Sequence, residues 1–587
     1  MKNQTLLVIH DHSHKIEDYI KYLCLEVLRI PSDLMVILDG KFNEESKEFL
    51  HTNGIPFTER NYGNDFQSWR EEILAFDPVR LSELDNLILL NDKQFGPISP
   101  IDRILLKMSD SQASFWTVSE YPSFLSFQRV QPNFVCFTKK IINSPVFLKN
   151  WKLCSSRFDE LTGNYWNFLK RKFISSGHIY QTVTESLFKV EKNHTSSLSQ
   201  IDFLKLGWPF VEIRLFIELF EKLQKTGSSS LPLEIVEYIS NRTNYPVSLI
   251  KKYVLFNVPP SQYKNIFQLN FIGSEFASRS LELQKKTVAL IFFAYFEDLV
   301  EVCCKYILSF EETDKIVIVS PKSNVLTAYR ERLSQFFADI DFRIQKNRGR
   351  NEAAYFITCK DVLDKFDYIC LCHDKKLRHL PSKIGEAALK HCFENCLGSK
   401  GQVNSIINVL GFSEEVGILT PPTPLFSVWS DISILPYGRN KELCQKIVQN
   451  ILPHTPFDPQ PVAPYGSVFW VKKGALRSLL NLNLTLEDFP EEPVPVDGTI
   501  LHALERLYPS FCQASGFATG WVFSQEYFPR YIEDLNTSIT SKKDLLNFNK
   551  FISKRLKILV YSNRVLWKLA RPIYIKIRPF FSLLRRD

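Results

Sequence analysis

Short runs of consecutive apolar residues punctuate the chain at 6–9, 34–38 and 87–90, the last within an expected strand 86–90, and between them apolar positions recur at helical spacing over 16–28 and 66–76. A strand with one wet face alternates apolar and polar residues. These runs do not alternate, so they predict a parallel sheet covered on both faces by helices. Residues 56–59 add a shorter strand ahead of a turn at Gly63. Ligands of such sheets bind beyond the carboxyl ends of the strands. His10, Asp39, Asn61, Asn91 and Asp92 all follow strands at that end.

The pattern then repeats. Asp85-Asn-Leu-Ile-Leu-Leu-Asn91-Asp92-Lys93 returns as Asp367-Tyr-Ile-Cys-Leu-Cys-His373-Asp374-Lys375, and Thr5-Leu-Leu-Val-Ile-His10 returns as Thr287-Val-Ala-Leu-Ile-Phe292, both displaced by 282 positions (85 to 367, 5 to 287). Asn61-Tyr-Gly-Asn-Asp65 is echoed by Asn347-Arg-Gly-Arg-Asn351 after a small insertion. A period this long exceeds the roughly 20–50 residues of a solenoid unit and marks two copies of a whole domain. The second copy carries expected strands at 288–292, 316–319, 342–344 and 368–371, with a helix expected near 353–366. These boundaries predict an α/β domain over 1–200, a helical connector over 201–282, a second α/β domain over 283–535 and a basic tail over 536–587. Five prolines between Pro453 and Pro464 predict an irregular loop over the second domain's site face.

Composition narrows the class without setting the activity. With 587 residues, 45% hydrophobic and 23% charged, the chain is an ordinary multi-domain globular protein. A net charge of +8 does not by itself imply nucleic acid, but the basic residues crowd after Lys554, where Ile552, Leu556, Leu559, Leu566 and Ala570 keep helical spacing. A basic amphipathic helix suits an anionic membrane surface, at about 1 kcal/mol per basic residue. The 12 cysteines include no paired CxxC, which excludes the common zinc patterns and suits free thiols in a reducing compartment. The N-terminus lacks a signal-peptide apolar region, and the longest apolar run, 287–296, falls short of the ~20 residues a membrane span needs. The expectation is a cytoplasmic protein, peripheral on the inner face of the cell membrane.

Several motifs then converge on one family. Gly466-Ser-Val-Phe-Trp470, Leu482-Asn-Leu-Thr-Leu-Glu487-Asp488-Phe-Pro-Glu-Glu, Asp497-Gly-Thr and His502-Ala-Leu-Glu-Arg506 form its sharpest stretch. Asn347-Arg-Gly-Arg, Cys372-His-Asp-Lys-Lys376 and Leu90-Asn-Asp-Lys-Gln-Phe-Gly-Pro97 add to it. Together they resemble the rhamnan synthesis protein F family of bacterial polysaccharide glycosyltransferases. The resemblance implies tandem GT-A-like domains and rhamnosyl transfer from dTDP-rhamnose to a lipid-linked glycan of the rhamnan or O-antigen type. Two positions depart from the family pattern: Asn351 stands where it has Asp, and Asp374 where it has Thr.

Glycosyl transfer needs a nucleotide pocket, positive charge on the departing diphosphate and a base for the acceptor hydroxyl. Asp92 and Asp374 stand where a GT-A enzyme places its metal- or ribose-binding acid, so a divalent cation (Mg or Mn) is one expectation. Neither belongs to a DxD pair, and each precedes a lysine. Lys375, Lys376 and Arg378 offer phosphate neutralisation without metal. Asn61, Asn91, Asn347 and His373 are candidate substrate contacts. Asp65 and Asn351 suit either a helix cap or a site role, and Arg348 and Arg350 would reinforce an anion site at that helix start in copy two. Glu487, Asp488 and Asp497 are candidate bases for an inverting transfer, although the first two also fit an exposed acidic loop and Asp497 a cap of the helix 500–507. Trp470 suits sugar stacking or a core position. Copy two, with the fuller motif set, is the expected active copy. The rival reading is a non-catalytic glycan-binding or scaffolding protein with degenerate sites.

Overall fold

The computed structural model describes residues 2–537 except 12, 118–132, 155–164, 184–199, 377–381, 426–435, 453 and 496. Arg378 and nearly all of the basic tail therefore lie outside the described residues. The chain forms two compact units, one of residues 1–269 with 454–458, the other of 270–453 with the described residues from 459 onward.

Unit 1 is built on β1 (Asn3–His10), β2 (Ser32–Asp39), β3 (Phe57–Arg60), β4 (Asn86–Asn91), β6 (Phe115–Thr117), β7 (Phe134–Thr138) and β8 (Tyr180–Thr182), in the order β3-β2-β1-β4-β7-β6-β8. All neighbours are parallel except β7, which runs against both β4 and β6. The strands β5 (Gln94–Phe95) and β9 (Val211–Glu212) pair separately. The apolar runs explain the layering. Leu6 and Val8 pack with Phe66, Trp69 and Ile73 of the helix Asp65–Ala75 in one buried cluster that also holds Leu87, Leu89, Phe137 and Trp151.

Unit 2 uses β10 (Asn270–Ile272), β11 (Val288–Phe293), β12 (Lys315–Ser320), β13 (Ile340–Ile344), β14 (Tyr368–His373), β15 (Val416–Thr420), β16 (Phe469–Lys472) and β17 (Ala518–Phe523). Read from β13, the order is β13-β12-β11-β14-β16-β15-β17-β10, and β16 is again the only antiparallel member. Seven strands thus recur in the same order and sense as in unit 1. Both sheets are α/β and mostly parallel, as the apolar runs predict.

The sheets correct the repeat in one respect. Asn86 and Tyr368 stand 282 positions apart, but their β1 and β11 partners, Asn3 and Val288, stand 285 apart. The first strand therefore slides by three residues against the alignment read from sequence. A buried apolar run accepts Val, Ile or Leu at any position, so residue similarity does not fix its register; the ladder does. The expected helix 353–366 is also divided, into Arg350–Ala353, a π turn at Ala354–Thr358 and Lys360–Lys365. The wide turn carries Tyr355 inward, where its hydroxyl donates to the Ser467 carbonyl at 3.1 Å.

All twelve cysteines are free and buried. No helix among the described residues is long and apolar enough to cross a membrane. Trp470, on β16, has no exposed surface; its indole donates to the Cys396 carbonyl at 3.0 Å and stacks on Phe310 with centroids 5.5 Å apart. Trp470→Ala is expected to destabilise the protein by about 3–5 kcal/mol, read as a lowered urea midpoint. A loss below about 1 kcal/mol would mean the core closes over the gap.

Candidate functional site

In unit 1 the rim of the sheet is organised by buried carboxylates. Asp39, the last residue of β2, accepts the main-chain N–H groups of Tyr62 (2.6 Å), Gly63 (3.1 Å) and Asn64 (3.1 Å) and the Ser68 hydroxyl (3.2 Å). The Asn61–Asp65 turn is thereby wound around one side chain, with Gly63 in the left-handed conformation at φ 63°. Asn64 caps the following helix, its Oδ1 accepting from Phe66 N–H at 2.9 Å. Asp65 is thus not the cap. As the first helical residue it turns inward, where Oδ2 accepts from Lys93 Nζ (2.5 Å) and Asn91 Nδ2 (3.2 Å) and Oδ1 lies 3.2 Å from His10 Nε2.

Asp92 turns back toward β1. Its Oδ2 accepts the His10 main-chain N–H at 2.7 Å and its Oδ1 lies 3.0 Å from His10 Nδ1. Burial lowers the pKa of His10, but the Asp92 hydrogen bond and the charges of Asp92 and Asp65 outweigh it and leave the imidazole above its ordinary value. His10, Asp65, Asn91, Asp92 and Lys93 therefore converge, whereas Asn61 is exposed at the turn. His10, Asp65 and Asp92 each offer a ligand atom within 4.8 Å of one another and could hold a metal ion.

Unit 2 repeats the frame with other residues. Asp374 accepts the N–H groups of Tyr295 (2.8 Å) and Phe296 (2.7 Å). Burial pushes its carboxyl up to about 7 despite those donors. Asp92 reaches back 82 positions and Asp374 reaches back 79, so Tyr295 occupies the place of His10. Both aspartates are almost fully buried, at 2% and 3% exposure, and bind strand ends rather than projecting outward. The His373 ring spans the Asp374 carbonyl (2.8 Å) and the Gly466 carbonyl (2.7 Å). Lys376 pairs with Asp298 and lies 5.3 Å over Phe296, while Lys375 is half-buried.

Other predicted residues of unit 2 are committed elsewhere. Asn351 is not a cap either, since Gly349 holds that place; its amide donates to Glu352 at 2.9 Å. Arg348 donates to the carbonyls of Phe489 (2.8 Å) and Glu487 (3.1 Å), and Arg350 forms a two-pronged pair with Glu492 (2.7 and 3.1 Å). These arginines staple the 487–492 loop to the Gly349 turn. A Cβ at Gly349 would come within 2.9 Å of the Phe489 ring. Asp488 closes a capping box with Thr485 (2.7 and 2.9 Å), Glu487 is exposed and so is Asn347. Asp497 does not cap the helix Ile500–Ala514, whose N-cap is Thr499: it accepts from Arg439 N–H (3.0 Å) and Asn440 Nδ2 (2.5 Å) and faces Arg506. Trp470 presents no face to a sugar.

One cluster is absent from the sequence reading. Ser467 Oγ lies 3.1 Å from Glu352 Oε1 and 3.3 Å from Glu505 Oε2, and Tyr508 donates to the other Glu352 oxygen. The single Ser467 hydroxyl proton can be donated to only one of these carboxylates at a time. Burial, then the charge of Glu505, pushes Glu352 up to about 8. The only sequence signal was that Ser467 and Glu505 fall within family motifs; nothing local shows that they meet Glu352.

These features define a two-unit α/β protein with polar clusters at the carboxyl ends of its parallel strands. The rhamnan synthesis protein F family model matches residues 34–517, and the chain belongs to that family. The uncharacterized protein WxcX of Xanthomonas campestris pv. campestris (strain B100) is 29% identical over 163 residues, 28% of this chain and 22% of that protein. The chain thus spans about a fifth of the curated relatives it matches. Among solved structures, the glycosyltransferase GlyE of Streptococcus pneumoniae TIGR4 is similar at 11% identity and TM-score 0.25, covering 64% of this chain and 86% of that one. S. aureus TarS 1–349 in complex with UDP is similar at 9% identity and TM-score 0.22, covering 46% and 90%.

Folded Glu352 keeps its proton to about pH 8, whereas the unfolded chain releases it near 4.5. Between those values the native state binds more protons, so this group's contribution to stability falls as pH rises. The wild-type protein is expected to lose up to about 1.4 kcal/mol per pH unit through this group, and Glu352→Gln to flatten that slope in melts taken from pH 5 to pH 8. An unchanged slope would refute the protonated carboxyl.

Proposed function

We propose that this member of the rhamnan synthesis family is a glycosyltransferase that moves L-rhamnose from dTDP-rhamnose onto a growing lipid-linked surface polysaccharide. Family membership across most of the chain carries the reading, and the polar rim at the carboxyl ends of both parallel sheets supports it. Both sheets are read as GT-A-like, and unit 2, which contains the sharpest motif stretch, as the unit that turns over. There Lys375 lies beside the clamped end of β14 and supplies positive charge for the leaving diphosphate. The exposed Glu487 is the readiest base for the acceptor hydroxyl, because Asp488 and Asp497 are engaged in caps and turns. The basic segment after residue 552 carries the enzyme to the anionic membrane surface where a lipid-linked acceptor resides.

A non-catalytic glycan-binding protein is the second reading. The burial of Asp92 and Asp374 favours it, because both carboxylates serve strand ends. Radiolabelled dTDP-rhamnose incubated with membrane acceptor and the full-length protein separates the two. Transfer is expected, with kcat/KM falling about 100-fold in Lys375→Ala. If Lys93→Ala is the more damaging change, turnover belongs to unit 1. Bound at 100 times its Kd, the donor should also stabilise the protein by about 2.7 kcal/mol. No transfer and no thermal shift with any nucleotide sugar would leave the glycan-binding reading.

A further inference from the structure

We infer that unit 1, and not unit 2, binds a first-row divalent cation such as Mn2+ between His10 Nε2 and Asp65 Oδ1, with Asp92 holding the imidazole from its other nitrogen. The inference stands on the geometry of unit 1 and does not depend on the transferase reading.

The first observation is an oxygen without a donor. Asp65 is 7% exposed, and its two carboxylate oxygens differ sharply in their surroundings. Oδ2 accepts from Lys93 and Asn91, whereas Oδ1 has no hydrogen-bond partner and faces His10 Nε2 at 3.2 Å. A buried carboxylate oxygen in that condition costs free energy unless a proton or a cation stands beside it.

The second observation is the way the imidazole is held. One carboxylate, Asp92, grips both the main-chain N–H and Nδ1 of His10, which fixes the ring with Nε2 turned toward Asp65. A carboxylate on one ring nitrogen is the usual support for a metal bound at the other, since it sets the tautomer and raises ligand basicity. Asp39 adds a third carboxylate, with Oδ2 3.9 Å from the same Nε2. Lys93 offsets part of this negative charge and, by taking Oδ2 of Asp65, leaves Oδ1 to the ion. An imidazole nitrogen among carboxylates suits Mn2+, Co2+ or Zn2+ better than Mg2+ or Ca2+, which prefer oxygen alone.

The third observation is the contrast between the copies. Where unit 1 has His10 and Asp65, unit 2 has Tyr295 and Asn351, and the Asn351 amide is turned to Glu352. Among the described residues of unit 2 no group of three His, Cys, Asp or Glu side chains meets the same ligand spacing.

Full-length protein stripped with chelator and titrated with MnCl2, with free Mn2+ followed by electron paramagnetic resonance, tests the inference without any assay of activity. One ion per chain is expected, bound at least about 10-fold more weakly by His10→Ala and by Asp65→Asn. Asp65→Asn keeps the side chain's shape, so it reports even if His10→Ala fails to fold. Saturation of the site by Mg2+ as readily as by Mn2+ would overturn the imidazole ligand. Absence of binding by the wild type, or binding unaltered in both variants, would overturn the site.

Discussion

The arrangement of both rims depends on one interaction, a buried aspartate after the fourth parallel strand that accepts main-chain N–H groups from the end of the first. Where a β ladder stops, its last N–H groups lose their partners, and burial without replacement is costly. Asp92 and Asp374 supply the replacement. The result joins the ends of β1 and β4, and of β11 and β14, at the place where a parallel sheet presents its ligands. Whichever residue follows the first strand is thereby fixed in position.

The same clamp yields two different chemistries because the residues it fixes differ. In unit 1 it sets the His10 imidazole among Asp39, Asp65 and Asp92, a concentration of negative charge relieved only in part by Lys93. In unit 2 it sets Tyr295, and two acidic side chains, Glu352 and Glu505, meet instead across the Ser467 hydroxyl. Burial decides the outcome there. Burial, with the charge of Glu505 beside it, raises the Glu352 carboxyl and favours its keeping a proton, whereas unit 1 leaves an acceptor oxygen facing a nitrogen. Gene duplication would preserve a frame of this kind readily, because the frame depends on main-chain donors and a single acid, while the surrounding side chains are free to diverge.

Much of this was legible in the chain. Uninterrupted apolar runs announced parallel strands, the long repeat announced two sheets of one plan, and the family motifs pointed to polysaccharide synthesis. Asp65 shows where local reading stops. An acidic residue before a helix fits a cap, yet Asn64 takes that task and releases Asp65 to the site. Arg348 and Arg350 fit an anion site equally well on paper, but the 487–492 loop, some 140 residues away, claims them. Trp470 was evenly balanced between surface and core until its hydrogen bond and stacking partner were known.

The sequence by itself determined the elements, their duplication and the family, because hydrophobic period and motif order are local properties of a chain. Only tertiary structure decided the register of the first strand, the direction in which Asp92 and Asp374 point, and the meeting of Glu352 with Glu505. Those outcomes depend on which distant donors and charges compete for a side chain once water is removed, and no spacing along the chain encodes that competition.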